Sequence, residues 1–174
     1  MIVSIDIETT GLDPETCQIL EIGAVRIGAT PFHCYVIYDQ IQGEPCALHM
    51  NHNILREIVV RDPKYVFLKP QEVWYHFSAW LPHDAKITIA GKNYGSFDKQ
   101  FLDRLHGWKK LMSRIASHRF IDSGNLFWQP AIDGDRLPSL QTCMRRAGMV
   151  CNVPHDAVSD AKIVLRLVQK HYEM

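Results

Sequence analysis

Between Ile2 and Leu12 apolar and polar residues alternate with a period of two, the pattern of a strand that buries one face. Val3, Ile5 and Ile7 fall on one side and Asp6 and Glu8 on the other, so two carboxylates share a face. Gly11-Leu12-Asp13-Pro14 reads as a turn. Runs rich in Ile and Val predict a second strand over 18–27 and a third over 33–39. Three strands in succession without helical spacing predict an antiparallel meander. Apolar residues at intervals of three and four then predict helices over 51–60 and 71–81, followed by a short buried strand over 86–90. Phe97, Phe101 and Leu105 mark a helix after Gly95-Ser96, residues 119–122 a fifth strand, and residues 139–147 a further helix. A last helix carries the stripe Ala157, Ala161, Val164 and Val168. The expected architecture is an α/β domain, a five-stranded mixed sheet with its first three strands antiparallel and helices on both faces.

Composition narrows this picture. With 174 residues and 47% apolar content, the chain suits a single domain over 1–174 with a full core. No linker, repeat or low-complexity tract interrupts it, and its apolar stretches are too short to span a bilayer. The chain enters a strand almost at once, without the charged and apolar regions of a secretory leader, so a soluble, cytoplasmic protein is expected. Cys17, Cys34, Cys46, Cys143 and Cys151 are odd in number and lack a C-x-x-C pair, which reads as reduced and mostly buried thiols. The 19 basic and 19 acidic residues cancel, so any grip on a nucleic acid must be local and metal-assisted. A basic cluster does run from Lys99 through Arg104, Lys109, Lys110 and Arg114 to Arg119, interleaved with His106, Trp108 and His118. It reads as the solvated face of ordinary helices or as a rim for a phosphate backbone.

The candidate chemistry lies in the carboxylates. Two like charges on one strand face ask for a cation, and Mg²⁺ or Mn²⁺ takes oxygen ligands of this kind; a wet polar face explains the pair alone equally well. Asp98 opens a helix, where a carboxylate serves the helix dipole or a metal. Asp160 lies three residues after Ala157 and four before Val164, on the stripe facing the core, where an uncompensated carboxylate is costly. Asp156 is the better cap for that helix, which leaves Asp160 to a metal, catalysis or a buried ion pair. His155 precedes Asp160 by about 500° of helical rotation and so belongs to the loop after Pro154, where an imidazole that titrates near neutrality suits a general base. His49 and His52 have a spacing open to zinc but no third ligand follows, and Trp74, Trp80, Trp108 and Trp128 read as core or its margins.

Three segments, Asp6-Ile7-Glu8-Thr9-Thr10-Gly11-Leu12, Asn93-Tyr94-Gly95-Ser96-Phe97-Asp98-Lys99-Gln100-Phe101-Leu102 and His155-Asp156-Ala157-Val158-Ser159-Asp160-Ala161, together resemble the motifs of the DEDDh 3′-to-5′ exonucleases, in order and across nearly the full chain. The element order is also that of the ribonuclease-H-like fold. The resemblance implies that Asp6, Glu8, Asp98 and Asp160 hold two Mg²⁺ or Mn²⁺ ions per site and that His155 is the general base. It implies that Thr9, Thr10, Gly11 and Leu12 grip the 3′-terminal nucleotide, that Phe97 lies beside its sugar and base, and that Met50 and Asn51 line the terminal-base pocket. The implied partner is a nucleic-acid 3′ end, single-stranded or frayed DNA in the first place, with RNA and a non-catalytic nucleic-acid-binding module as alternatives; protein partners stay open. The chain departs from the common pattern in two places. Asn93 stands five residues before Asp98 instead of four, and the segment 47–54 lacks the usual His-Gly-Ile.

Overall fold

The computed structural model describes residues 1–150 and 155–173, so Cys151 and Pro154 lie outside the described residues. The strands are β1 (Ile2–Thr9), β2 (Ile19–Val25), β3 (Phe32–Val36), β4 (Phe67–Leu68), β5 (Ile87–Gly91) and β6 (Ala116–Asp122). The helices are α1 (Pro45–Met50), α2 (His52–Val60), α3 (Val73–Trp80), α4 (Asp98–Leu102), α5 (Trp108–Ile115), α6 (Ser123–Leu126), α7 (Pro130–Asp133), α8 (Leu140–Arg146) and α9 (Ala157–His171). One mixed sheet runs in the order β4-β3-β2-β1-β5-β6, with β1, β2 and β3 antiparallel and β5 and β6 added in parallel.

Among the described residues the sheet has six strands where the sequence predicts five. The extra one, β4, has two residues, too few for any alternation to register. It is bound to β3 through its own Leu68 and the preceding Val66, the Tyr35 N–H donating to the Val66 carbonyl and the Ile37 N–H to the Leu68 carbonyl, both at 2.9 Å. Helix α5 is likewise unpredicted: its lysines and arginine dominate the sequence impression, yet Trp108, Leu111 and Met112 are buried. Edge strand β6 starts at Ala116, earlier than the predicted 119.

Alternation along β1 splits the molecule into two layers. On one side Val3, Ile5 and Ile7 join Ile22, Cys34 and Ile89 under α3 and α5. Phe77 packs edge-on against Phe32 at 5.4 Å between ring centroids and, tilted at 51°, against Trp108 at 4.8 Å, in the range where aromatic pairs attract. On the other side α9 lies across β2, β1 and β5, with Ala161 and Leu165 against Val25, and Val164 and Val168 against Ala90. Helix α2 covers Leu20 and Tyr35 beside it through Ile54 and Ile58. Of the described cysteines, Cys34 and Cys143 are buried and Cys17 partly so, while Cys46 is exposed; all four are free thiols. Among the described residues no helix is long and apolar enough to cross a membrane.

Helix α9 starts where it does because Asp156, in extended backbone, accepts the Ser159 N–H at 2.8 Å, the cap that the sequence predicts. Its first residue sits directly on β2, and only a glycine there leaves room: a Cβ on Gly23 would overlap the Ala157 carbonyl carbon and the Val158 nitrogen. Those atoms are backbone and cannot rotate aside. Gly23→Ala is therefore expected to destabilise the fold by about 1–3 kcal/mol, the usual cost of overpacking, read as a lowered urea midpoint with an unchanged slope.

Candidate active site

Three of the predicted carboxylates converge. Asp6 and Glu8 stand on the α9 side of β1 and Asp160 faces them from the first turn of α9, each offering one oxygen within 4.8 Å of the other two. Asp160 Oδ1 is buried without a hydrogen-bond partner among the described residues. An orphaned buried oxygen in an all-carboxylate set matches what a hard divalent cation takes as ligands. Asp98 is also buried, at the start of α4, but it lies outside this set of three, and its Oδ1 accepts the Ile7 N–H at 3.2 Å. It thereby ties α4 to the strand that carries Asp6 and Glu8. His155 precedes the capping Asp156, and its charge is felt at Asp160.

These carboxyls hold their protons far above the ordinary range. Burial raises Asp6 well above its usual value, and the charges of Asp98, Asp160, Glu8 and Glu21 push the same way. Burial and then Glu21 lift Glu8 to about 7. Asp98 rises to about 7, again chiefly through burial, with its own and the Ile7 N–H pulling it back. Asp160 rises to about 6 through burial, opposed by the charge of His155. Like charges gathered in a dry place disfavour ionisation until a cation joins them.

The proposed nucleotide-gripping residues divide into those that hold the turn and those that face outward. The Thr9 hydroxyl donates to the Gly11 carbonyl at 2.7 Å and the Thr10 hydroxyl to the Gln42 carbonyl at 2.6 Å, so both shape the turn after β1. A Cβ on Gly11 would collide with Cys17 and Glu44. Asn51 is buried, and its side-chain N–H donates to the Thr9 carbonyl at 2.9 Å while also favouring the charged form of Glu8. Leu12 and Met50, by contrast, are 73% and 72% exposed. Phe97 packs against Phe101 at 5.1 Å at the edge of the core. His49 and His52 stack on one another outside the acidic set, with the His52 Nδ1 within hydrogen-bond distance, 3.0 Å, of the His49 carbonyl. In the basic cluster Lys99 pairs with Asp103, and Arg104 with Glu15.

Residues that the sequence did not single out complete the surroundings. Glu21 lies directly opposite Glu8 on β2 and is buried; a charge inside an otherwise apolar strand was the available signal. Asp122 accepts the Asn93 N–H at 2.8 Å, holding Asn93 in the left-handed region at φ 60°. Lys92 donates to the Asn93 side chain, and its positive charge lowers the pKa of Asp98.

A family model described as RNase_T, exonuclease, matches residues 3–168. A search of curated proteins finds no match. Among solved structures, Escherichia coli exonuclease I in complex with a dT13 oligonucleotide aligns at a TM-score of 0.69 and 16% identity over 97% of this chain and 40% of its own. A moderately thermophilic exonuclease I from Methylocaldum szegediense aligns at 0.66 and 16% identity over 97% of this chain and 40% of its own. The chain thus spans about two fifths of the length of these exonuclease I structures. The nuclease domain of 3′hExo, a DEDDh family member bound to rAMP, aligns at 0.69 and 17% identity over 99% of this chain and 91% of its own. At such identities the structural likeness is one of fold, an α/β sheet flanked by helices as in ribonuclease-H-like nucleases. The family match rests on the sequence itself, covers nearly all of the chain and includes every residue of the acidic face: the chain belongs to the exonuclease family.

Proposed function

We propose that residues 1–174 work as one metal-dependent 3′-to-5′ exonuclease unit that releases nucleoside 5′-monophosphates from single-stranded or frayed DNA 3′ ends. The observation that carries this reading is the convergence of Asp6, Glu8 and Asp160 around a carboxylate oxygen that has no hydrogen-bond partner among the described residues, within electrostatic reach of His155. The exonuclease I structures bound to DNA oligonucleotides favour DNA, while the rAMP in the 3′hExo domain keeps RNA as the polymer to test beside it.

Asp6, Glu8 and Asp160 would hold Mg²⁺ or Mn²⁺, and Asp98, buried outside this set, would contribute to a second ion. Bound there, such ions neutralise phosphate charge and acidify a water molecule. His155 takes the proton of the attacking water at an imidazole nitrogen, and the charge of Asp160 favours the imidazolium that results. The turn held by Thr9, Thr10 and Asn51 fixes where the terminal nucleotide stops. Exposed Leu12 and Met50 offer apolar surface to its base. An end free of its complement reaches this surface without the cost of unpairing.

Incubation with 5′-labelled DNA and RNA of one sequence tests the reading: a ladder shortening from the 3′ end, present with Mg²⁺ or Mn²⁺ and absent with chelator, is the expected result, and the faster polymer names the substrate. Asp160→Ala should abolish cleavage while the variant still binds the strand in a gel-shift assay. For His155→Ala, kcat should fall by about 10²–10⁴-fold, the usual contribution of a general base, with Mn²⁺ binding retained by calorimetry.

The raised carboxyl pKa values also predict how the metal-free protein responds to pH. In the unfolded chain these groups titrate near 4, whereas in the fold Glu8 and Asp160 keep their protons up to about 7 and 6. Between those values the folded state binds more protons than the unfolded one, so its stability falls as pH rises. In chelator the melting temperature should be higher at pH 5 than at pH 8, and Mg²⁺ or Mn²⁺ should restore it at pH 8.

A further inference from the structure

A carboxylate opposite Glu8 works against the acidic face it borders, since the charge of Glu21 disfavours ionisation of Asp6, Glu8 and Asp160. An apolar residue would fill the same position on β2 without that cost, so the contacts that Glu21 makes call for an account. It is 2% exposed, and both of its oxygens are engaged. Oε1 lies 2.6 Å from His33 Nε2, and Oε2 accepts the Ala157 N–H at 3.2 Å. His33 is fixed in turn, edge-on to Tyr35 at 4.9 Å and to Tyr65 at 5.7 Å between ring centroids.

Ala157 is the first residue of α9, which makes its N–H one of the donors that a helix cannot satisfy internally. The first turn of α9 is thus held twice: locally by Asp156 on Ser159, and across the fold by Glu21 on Ala157. The two groups that the exonuclease reading needs from this end of the chain flank the held residue, His155 two positions before it and Asp160 three after. With no side chain on Gly23 to interpose, the helix start lies on the β2 backbone beside this contact.

We propose that Glu21 and His33 form a positioning pair: His33 fixes the Glu21 carboxylate, which holds the start of α9 so that His155 and Asp160 meet Asp6 and Glu8 in register. The proposal rests on the exonuclease reading, with Glu21 acting through Ala157 and not as a metal ligand. A displacement of a reacting group by about 1 Å costs on the order of 10²-fold in rate, which sets the expected size of the effect.

The test compares Glu21→Ala and Glu21→Gln with the unmodified protein on a 5′-labelled strand, together with Mn²⁺ calorimetry and thermal melting. Glu21→Ala should lower kcat by about 10²-fold with KM nearly unchanged. Glu21→Gln keeps an oxygen for the Ala157 N–H, and so should recover most of kcat and bind Mn²⁺ as the unmodified protein does. Full kcat in folded Glu21→Ala overturns the proposal, and so does a loss of Mn²⁺ affinity in Glu21→Gln, which would make Glu21 a ligand. Should Glu21→Ala fail to fold, His33→Ala and His33→Gln carry the same comparison: lowered kcat restored by the glutamine, whose amide N–H can donate to Glu21, supports the pair, and full kcat in His33→Ala overturns it. An unmodified protein that shortens neither polymer overturns the exonuclease reading itself, whereas an active one with unaffected variants overturns only the pair.

Discussion

The acidic face of β1 can exist because the opposite face of the same strand is anchored in the core. Val3 and Ile5 are fully buried on the side away from α9, and Ile7 nearly so. A slip of one residue would exchange the two sides, driving Asp6 and Glu8 toward Trp108 and Phe77. The register of β1 against β2 and β5 is therefore fixed by burial on one side, and the carboxylates on the other are crowded as a result of it. Everything placed around them follows from that crowding. Asp98 is turned to a backbone N–H, Glu21 is given two hydrogen bonds, and Asp160 keeps an oxygen without a partner among the described residues.

The features legible in the sequence are those in which a local period and burial agree. Strand β1, the last helix with its stripe and the capping Asp156 could all be read from spacing within a few residues, and Asp160, expected on the stripe itself, is only partly buried. Strand β4 has too few residues for a period, and α5 hid its buried Trp108, Leu111 and Met112 behind a run of basic residues. The site was legible as a set of residue types but not as geometry. That Asp98 faces the Ile7 N–H, or that the Thr9 and Thr10 hydroxyls close the turn, depends on contacts between segments that no local pattern records. Glu21 was missed for a related reason. Its partners are His33 on the next strand and Ala157 far along the chain, and strand register is needed to bring them together.

Charge is distributed unevenly for a chain whose formal charges cancel. The basic cluster that the sequence displays is partly neutralised within the fold, Lys99 by Asp103 and Arg104 by Glu15. Less positive surface is left for a phosphate backbone than a count of lysines and arginines implies, while the acidic face would repel it outright. Under the proposed reading, cations held by the acidic face would have to offset this repulsion locally.

The acidic face draws Asp6 and Glu8 from the start of the chain and Asp160 from its last helix, whose first turn rests on the second strand. During synthesis, a polypeptide that has emerged only as far as its sixth strand has two of these carboxylates and no helix to close over them. The three oxygens are thus brought together only when α9 docks on β2, so the affinity of this set for a cation would depend on closure between segments far apart in sequence and would be lost with it.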